Sequence, residues 1–593
     1  MFQIFKKLGW FFKLRWKTYL IGVLALGITA ALSSITPLIL GRVIDQMAQK
    51  TITGAGLIQQ VLLLLACTLI MYGLRYVWRI SIFGNSTLLE SIMRNRLFAH
   101  FTRMDSQFFH RYRTGDLMAH ATNDLAALRF VAGGGILTLA DSTFQGGITL
   151  CSMLFLIDWK LTLYTILPFP LLVIAARYLG SIINRRFRLS LQAFSQMNDQ
   201  VNESVAGIKV IKTFGEEADD HEDFMVNTTN VVDQNRKVHQ VDAAYRPVID
   251  GITGLTYVLT LFFGTMFIYQ GRITVGQLVS YFSYLSMMAW PLLAVGRLVN
   301  TMERGNASWD RIAELLSETS HIIEADEPIS QTPAGDISFS IAEFAYPDAP
   351  DHPELENVHF HLPAGRTLGL VGKTGAGKST IFKLLNREYD NYQGSIQYGS
   401  QDIKAFSLDA LANSIGYVPQ ENFLFSATVR DNIRFGAPDL SDEEVIKYAK
   451  LADVHEDILN FSEGYDTRVG EKGVSLSGGQ KQRLAIARAL ATEPEYLILD
   501  DSLSAVDAST EAQILKNLTA ARQDKTTLIA THRMSAIMNA NEILVLEDGH
   551  VVERGQHEDL MAEQGWYYDM YNEQQLQKEV TEKGGEDHGE QKN

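Results

Sequence analysis

Eight consecutive residues, Gly372-Lys373-Thr374-Gly375-Ala376-Gly377-Lys378-Ser379, have the makings of a polyanion cradle. Glycines let the backbone turn so that successive N–H groups face one point, and the positive end of a following helix adds to them. The chemistry this suits is phosphoryl transfer from a nucleoside triphosphate. Backbone N–H groups would wrap the phosphates, Lys378 would reach the β and γ phosphates, and the Ser379 hydroxyl would ligate Mg2+. Thr380, next in sequence, completes the set expected to hold the nucleotide. Asp500 closes an apolar run, Tyr496-Leu497-Ile498-Leu499, where a carboxylate is needed as a Mg2+ partner. A second anion-binding element is Leu476-Ser477-Gly478-Gly479-Gln480, ahead of Lys481-Gln482-Arg483 and a helical run. Ser-Gly-Gly opening a helix is another anion-binding N-terminus. One nucleotide cannot easily use both elements within one chain, so a second domain packed head to tail is expected.

The elements that must position these residues are legible around them. The apolar run 367–371 leads into the glycine loop, and 380–385 continues as helix, which is the strand–loop–helix setting the motif requires. Strand-like alternation begins near Asp336, and the second half of the chain reads as ordinary α/β sequence.

Together these residues resemble the ATP-binding cassette family, with Leu476–Gln480 as its signature, and the resemblance covers nearly the whole chain. It implies further roles in sequence order. Tyr346 is similar to the aromatic that stacks on adenine. Gln420, in Val418-Pro419-Gln420, resembles the glutamine that senses Mg2+ and contacts the membrane domain. Ser504-Ala505-Val506-Asp507 resembles the loop that crosses the dimer interface, and His532 the switch histidine on the γ-phosphate. Thr114–Met118 and Glu203–Lys209 look like the two cytoplasmic coupling regions of the exporter branch, the first touching both nucleotide domains and the second the partner's. The implied fold is a six-helix α transmembrane domain of type I exporter form joined to an α/β phosphate-loop nucleotide domain.

One residue departs from the family pattern. After Asp500 the family carries Glu as the general base; here it is Asp501, one methylene shorter. A displacement of ~1 Å can cost ~100-fold in rate. The expectation is a slow site on this chain's own phosphate loop, with the intact signature Ser477–Gln480 completing a partner's site. This resembles the degenerate half of heterodimeric multidrug exporters of Gram-positive bacteria. The implied partner is a second, non-identical half-transporter with an intact Glu. A homodimeric lipid flippase or lipid exporter is the alternative with the same architecture.

The first half holds long apolar runs, of the ~20 residues a bilayer demands. They lie at about 19–43, 57–83, 133–157, 161–180, 251–269 and 275–298, six spans with both termini on one side. The connections 84–130 and 181–245 are long, Pro-free and helical in pattern, so helices continue far into the cytoplasm, with crossing segments at about 111–115 and 211–215. Basic residues before the first run place it as an uncleaved span with a cytoplasmic flank. Asp141 falls deepest in a span, a candidate either for the transport pathway or for helix packing. Phe, Tyr and Met in the spans, such as Tyr281, Phe282, Tyr284, Met287, Met288 and Trp290, suit either packing or small hydrophobic and cationic substrates. The net charge of -16 argues against a nucleic-acid partner. Cys67 and Cys151 read as core thiols rather than a disulfide. The expected organisation is a cytoplasmic segment 1–17, a membrane domain 18–300, a linker 301–335, a nucleotide domain 336–575 and a charged, disordered tail 576–593. The expected location is a bacterial plasma membrane, with the nucleotide domain in the cytoplasm.

Overall fold

The computed structural model describes residues 3–470 and 476–587. The chain divides into two compact units, Met1–Met104 with Tyr112–Glu318, and Asp105–Arg111 with Thr319–Asn593.

The first unit carries six helices long and apolar enough to cross a membrane: Trp16–Ala48, Gly54–Phe101, Thr114–Ile157, Trp159–Ala206, Glu217–Tyr269 and Val275–Ser317. Each contains one of the expected apolar runs. The longest has 53 residues, far beyond the ~20 that span hydrocarbon, so the surplus is the helical continuation read in the long connections. The short connections at 158–160 and 270–272 are joined: the Asp158 carboxylate caps its helix by accepting from the Lys160 and Leu161 N–H groups, and accepts from Arg272 at 2.6 Å.

Lipid tails are as apolar as leucine, so spans associate through small residues and interhelical hydrogen bonds. Gly41 of the first span and Gly276 of the sixth meet backbone to backbone. A Cβ on Gly276 would lie 1.9 Å from the Gly41 carbonyl oxygen. Asp45 fastens the crossing by accepting from the Gly276 N–H at 2.8 Å and the Thr274 hydroxyl at 2.6 Å. Tyr284 donates to the Ser34 carbonyl, and Tyr281 shares a hydrogen bond with Thr165. Both tyrosines are fully buried, so these two serve packing. Tyr257 and Phe282 stack with centroids 5.7 Å apart, and Trp290 is exposed. Cys67 is buried, whereas Cys151 is exposed and therefore not a core thiol; neither is bonded.

The short interruptions of the cytoplasmic extensions are Ser106–Arg111 and Ile208–Phe214. The second ends on Gly215 in left-handed conformation, within the expected 211–215. The first lies earlier than the expected 111–115, since the helix Thr114–Ala119 already takes up Thr114 and Gly115. Asp105 sets its start, accepting from the Phe108 N–H at 3.0 Å. The same carboxylate accepts from the Ser320 hydroxyl and from the backbone and ring nitrogens of His321, so one buried side chain fastens this short helix to the lead-in of the nucleotide unit. Burial pushes the Asp105 carboxyl up, but hydrogen bonds from His321 and Phe108 outweigh it and hold it below the usual carboxylate range. Its stabilisation is therefore complete above the ordinary Asp range and lost as pH falls through its own lower value. Asp105→Ala is expected to destabilise the second unit by about 2 kcal/mol, read as a lower thermal midpoint. An unchanged midpoint would show that the clamp carries no load.

The sixth membrane helix continues to Ser317, into the stretch read from sequence as linker. At the other end a helix spans Trp566–Asp587, through much of the stretch read as a disordered tail; residues 588–593 lie outside the described ones.

The second unit is built on ten strands among the described residues: β1 (Ile337–Ala345), β2 (Pro353–Leu362), β3 (Thr367–Gly372), β4 (Tyr392–Tyr398), β5 (Gln401–Asp402), β6 (Ile415–Val418), β7 (Tyr496–Asp500), β8 (Thr526–Ala530), β9 (Glu542–Glu547) and β10 (His550–Gly555). One sheet has the order β2-β1-β4-β5 and is antiparallel; the other, β10-β9-β3-β8-β7-β6, is parallel apart from β10. Strands β3, β7 and β8 are apolar and almost wholly buried, as parallel strands covered on both faces must be. One core holds Leu368, Leu370, Ile381, Phe382, Ile498 and Leu528, the other Val371, Leu497, Leu499, Ile486 and Ile529.

Candidate nucleotide site

In parallel α/β sheets, ligands bind outside the carboxyl ends of the strands. Those ends deliver nearly every residue singled out in the first site. β3 ends at Gly372 and gives way to the loop 373–377 and the helix Lys378–Leu385. Gly377 has φ +93°, and a Cβ there would lie 2.6 Å from Leu355, so only glycine admits this turn. Thr374 and Gly375 form the exposed tip, while Ala376 and Thr380 face the interior. Lys373 points outward to Glu547 at 2.8 Å. Lys378 is the lysine turned inward, its Nζ donating to the carbonyls of Gly372 and Lys373 at 2.8 and 2.9 Å. Burial lowers its pKa, against the raising influence of Asp501 and Asp500.

β7 ends at Asp500, which accepts from the Ser379 hydroxyl at 2.9 Å and from Tyr417 at 3.3 Å. Burial raises its carboxyl, which the two hydroxyl donors oppose. A serine hydroxyl and a buried carboxylate side by side at the phosphate loop form a hard-oxygen pair that fits Mg2+, a cation that takes few protein ligands and fills its shell with phosphate and water. Gln420 follows β6 and is exposed. Tyr346 lies half-buried, its hydroxyl 2.9 Å from Thr380 Oγ1, with the Lys383 ammonium 5.2 Å over its ring.

Asp501 takes the left-handed backbone region, φ +44°, and its N–H donates to the Ala530 carbonyl at 2.8 Å. Its Oδ1 is buried with no hydrogen-bond partner among the described residues, an acceptor turned inward beside Lys378. His532 follows β8. Partial desolvation, then the charge of Lys378, holds its imidazole below the usual value, with Asp501 opposing.

The signature has its own supports. Ser477 caps the helix Gly478–Ala491 in a capping box with Gln480. Gln480 donates to Asp457 at 3.0 Å. The signature helix reaches Asp501 through the loop 504–507: Gln482 donates to Ser504 and accepts from the Ala505 N–H, and Ser504 donates to the Asp501 carbonyl at 2.8 Å. Arg533, beside His532, fastens the same loop by donating to the carbonyls of Ser504 and Val506, both at 2.7 Å, and to the buried Glu511. The sequence assigns no role to Arg533, Gln482 or Tyr417, since each is an ordinary polar residue until the fold brings its partner near. The adjacency of Arg533 to His532 was the available signal.

Residues 19–292 match the ABC transporter transmembrane region family, and residues 355–504 match the ABC transporter family. The probable multidrug resistance ABC transporter ATP-binding/permease protein YheI of Bacillus subtilis is 43% identical over 99% of this chain and 100% of its own length. The chain belongs to the ABC transporter family. The multidrug resistance-like ATP-binding protein MdlA of Escherichia coli is 41% identical over 97% of each chain. Among solved structures, a bacterial Atm1-family ABC exporter with ATP bound superposes with a TM-score of 0.77 at 26% identity, covering 94% of this chain and 99% of that one. The fold is that of a type I ABC exporter, and the protein is a multi-pass membrane ATPase whose ATP use is coupled to transport.

Proposed function

We propose that this ABC exporter is one half of a heterodimer that moves hydrophobic or cationic drugs out of a bacterial cell across the plasma membrane, with the nucleotide domain and both termini cytoplasmic. The carrying observation is Asp501: a shortened carboxylate at the general-base position, on a backbone already in the left-handed region, with one oxygen unsupported. A base too short for its water gives a site that holds ATP and hydrolyses it slowly. The N–H groups of 372–380 and Lys378 bind the phosphates, Tyr346 stacks on adenine, and His532 contacts the γ-phosphate. Ser379, Asp500 and Gln420 would hold Mg2+, which would neutralise phosphate charge. Ser477, Gly478, Gly479 and Gln480 close over the partner's phosphates, where the partner's Glu does the fast hydrolysis. ATP between the two domains favours the closed pair, and that differential affinity drives the membrane half outward. The drug class is supported by the printed names of the two relatives above.

The test is to purify the chain alone and with its candidate partner, and to compare ATPase with Asp501 intact and as Asp501→Glu. The expected result is a nearly inactive lone chain, a pair silenced by Glu→Gln in the partner, and a gain with Asp501→Glu. Brisk turnover by the lone homodimer would overturn the heterodimer and favour the lipid flippase.

Asp141 supports the cationic part of this reading. It is half-buried on the third span and has no hydrogen bond or ion pair among the described residues, which leaves a counter-charge available in the membrane. Asp141→Asn is expected to weaken transport of cationic dyes about ten-fold while sparing neutral ones. Equal loss for both classes in vesicle uptake would assign Asp141 to packing.

A further inference from the structure

The first seventeen residues carry five cations, Lys6, Lys7, Lys13, Arg15 and Lys17, in a chain of net charge -16, and no Asp or Glu occurs before Asp45. The nucleotide chemistry uses none of them. Two short helices, Gln3–Lys7 and Gly9–Leu14, precede the first span. Their inner face is Ile4, Leu8 and Phe11, each fully buried in the core of the membrane unit. Lys7 and Arg15 are turned to the protein, Lys7 to Asp310 at 2.7 Å and Arg15 to Asn85 at 3.1 Å.

The outer face is different. Lys6, Trp10, Lys13 and Lys17 recur at steps of four, three and four, one face of a helical path, and all four are exposed. Leu14 and Trp16 beside them are 63% and 55% exposed. Lys6, Lys13 and Lys17 form no ion pair among the described residues. The exposed Arg96 adds its guanidinium over the Trp10 ring at 5.9 Å. Chain connectivity puts this face at the start of the span Trp16–Ala48, at the level where indole rings and lysines meet lipid headgroups.

We propose that Lys6, Lys13 and Lys17, with Trp10 and Trp16, form a docking surface for anionic phospholipid headgroups of the inner leaflet. The indoles, one of them under the Lys17 ammonium at 6.0 Å, seat the segment at the interface, and ammonium groups free of carboxylate partners select negative headgroups over zwitterionic ones. The segment also leans on the last span, since Lys7 pairs with Asp310 and Ile4 packs 3.7 Å from where a Cβ on Gly305 would lie. Headgroup binding therefore bears on the helix that leads out of the membrane unit.

The full-length chain in mixed micelles would be titrated with pyrene-labelled phosphatidylglycerol and, separately, pyrene-labelled phosphatidylcholine. The expected result is a preference for phosphatidylglycerol that falls about five-fold for each lysine changed to Gln at low salt, and that added salt erodes. The triple Lys→Arg variant keeps charge and helix and is expected to retain the preference. Binding of phosphatidylglycerol unaltered in the triple Lys→Gln variant would overturn the proposal. So would complete displacement by millimolar inorganic phosphate, which would make the ligand a free anion, or a change of oligomeric state in the same variant, which would make the surface a protein interface.

Discussion

Valine at Gly479 is expected to lower ATP turnover of the assembled transporter by about 100-fold while leaving nucleotide binding at this chain's own phosphate loop unchanged. A Cβ at Gly479 would stand 2.9 Å from the Ala505 carbonyl oxygen, which is backbone and cannot swing aside. The loop that would have to yield is pinned on both flanks, by Gln482 at Ala505 and by Arg533 at Ser504 and Val506. The signature helix must therefore tilt or the loop must break those bonds, and either displaces groups aimed at phosphate. Gly478 is the control. A Cβ there meets only the Ala505 methyl at 3.5 Å, ordinary contact, so Gly478→Ala is expected to leave the loop 504–507 and the thermal midpoint unchanged. Phosphate release and fluorescent ATP binding read the two effects separately. Near-normal turnover by Gly479→Val would show that the loop 504–507 is not a fixed support.

Lys378→Ala is expected to weaken ATP binding at this chain's own phosphate loop on the order of 100-fold. The side chain supplies a full positive charge where the triphosphate lies, and its Nζ also bonds the carbonyls of Gly372 and Lys373. Removing it takes the charge and leaves two carbonyls of the loop without their donor, so the cradle itself loosens. Lys373→Ala, which removes only the outward pair with Glu547, is expected to bind ATP within about two-fold of the parent, as exposed pairs contribute little. Equilibrium binding of a fluorescent ATP analogue to the full chain separates them. Equal losses for both lysines would mean that net positive charge, not geometry, holds the nucleotide.

The two lysines also show where sequence reading reaches its limit. The phosphate loop was legible because its glycines, lysine and serine stand at fixed spacing between a strand and a helix, so local pattern and local geometry coincide. The six spans were legible for a similar reason, since bilayer thickness sets a minimum apolar length. The motif assigns Lys378 to the phosphates, but the outward partner of Lys373, Glu547, lies more than 170 residues away in sequence. The cap that starts the helix Ser106–Arg111 depends on His321 and Ser320, equally remote. Gly115, at the far end of the expected crossing segment, stands in a first helical turn, where glycine is tolerated. Tyr281 and Tyr284 read equally well as lining or as packing until their hydroxyls found Thr165 and Ser34. In each instance the missing information was the distant partner, which composition and periodicity do not contain.

The fastening of the 504–507 loop to both Gln482 and Arg533 bears on how ABC nucleotide domains diverge after gene duplication. Residues 477–533 cannot drift piecemeal, because the signature helix, the loop and the residue beside His532 share one set of hydrogen bonds. Exchange of the signature alone between two diverged halves would set new side chains against an old loop. Exchange of the whole stretch would carry its supports along, so recombination between paralogues should leave this stretch inherited as a block, with crossover points falling on either side of it.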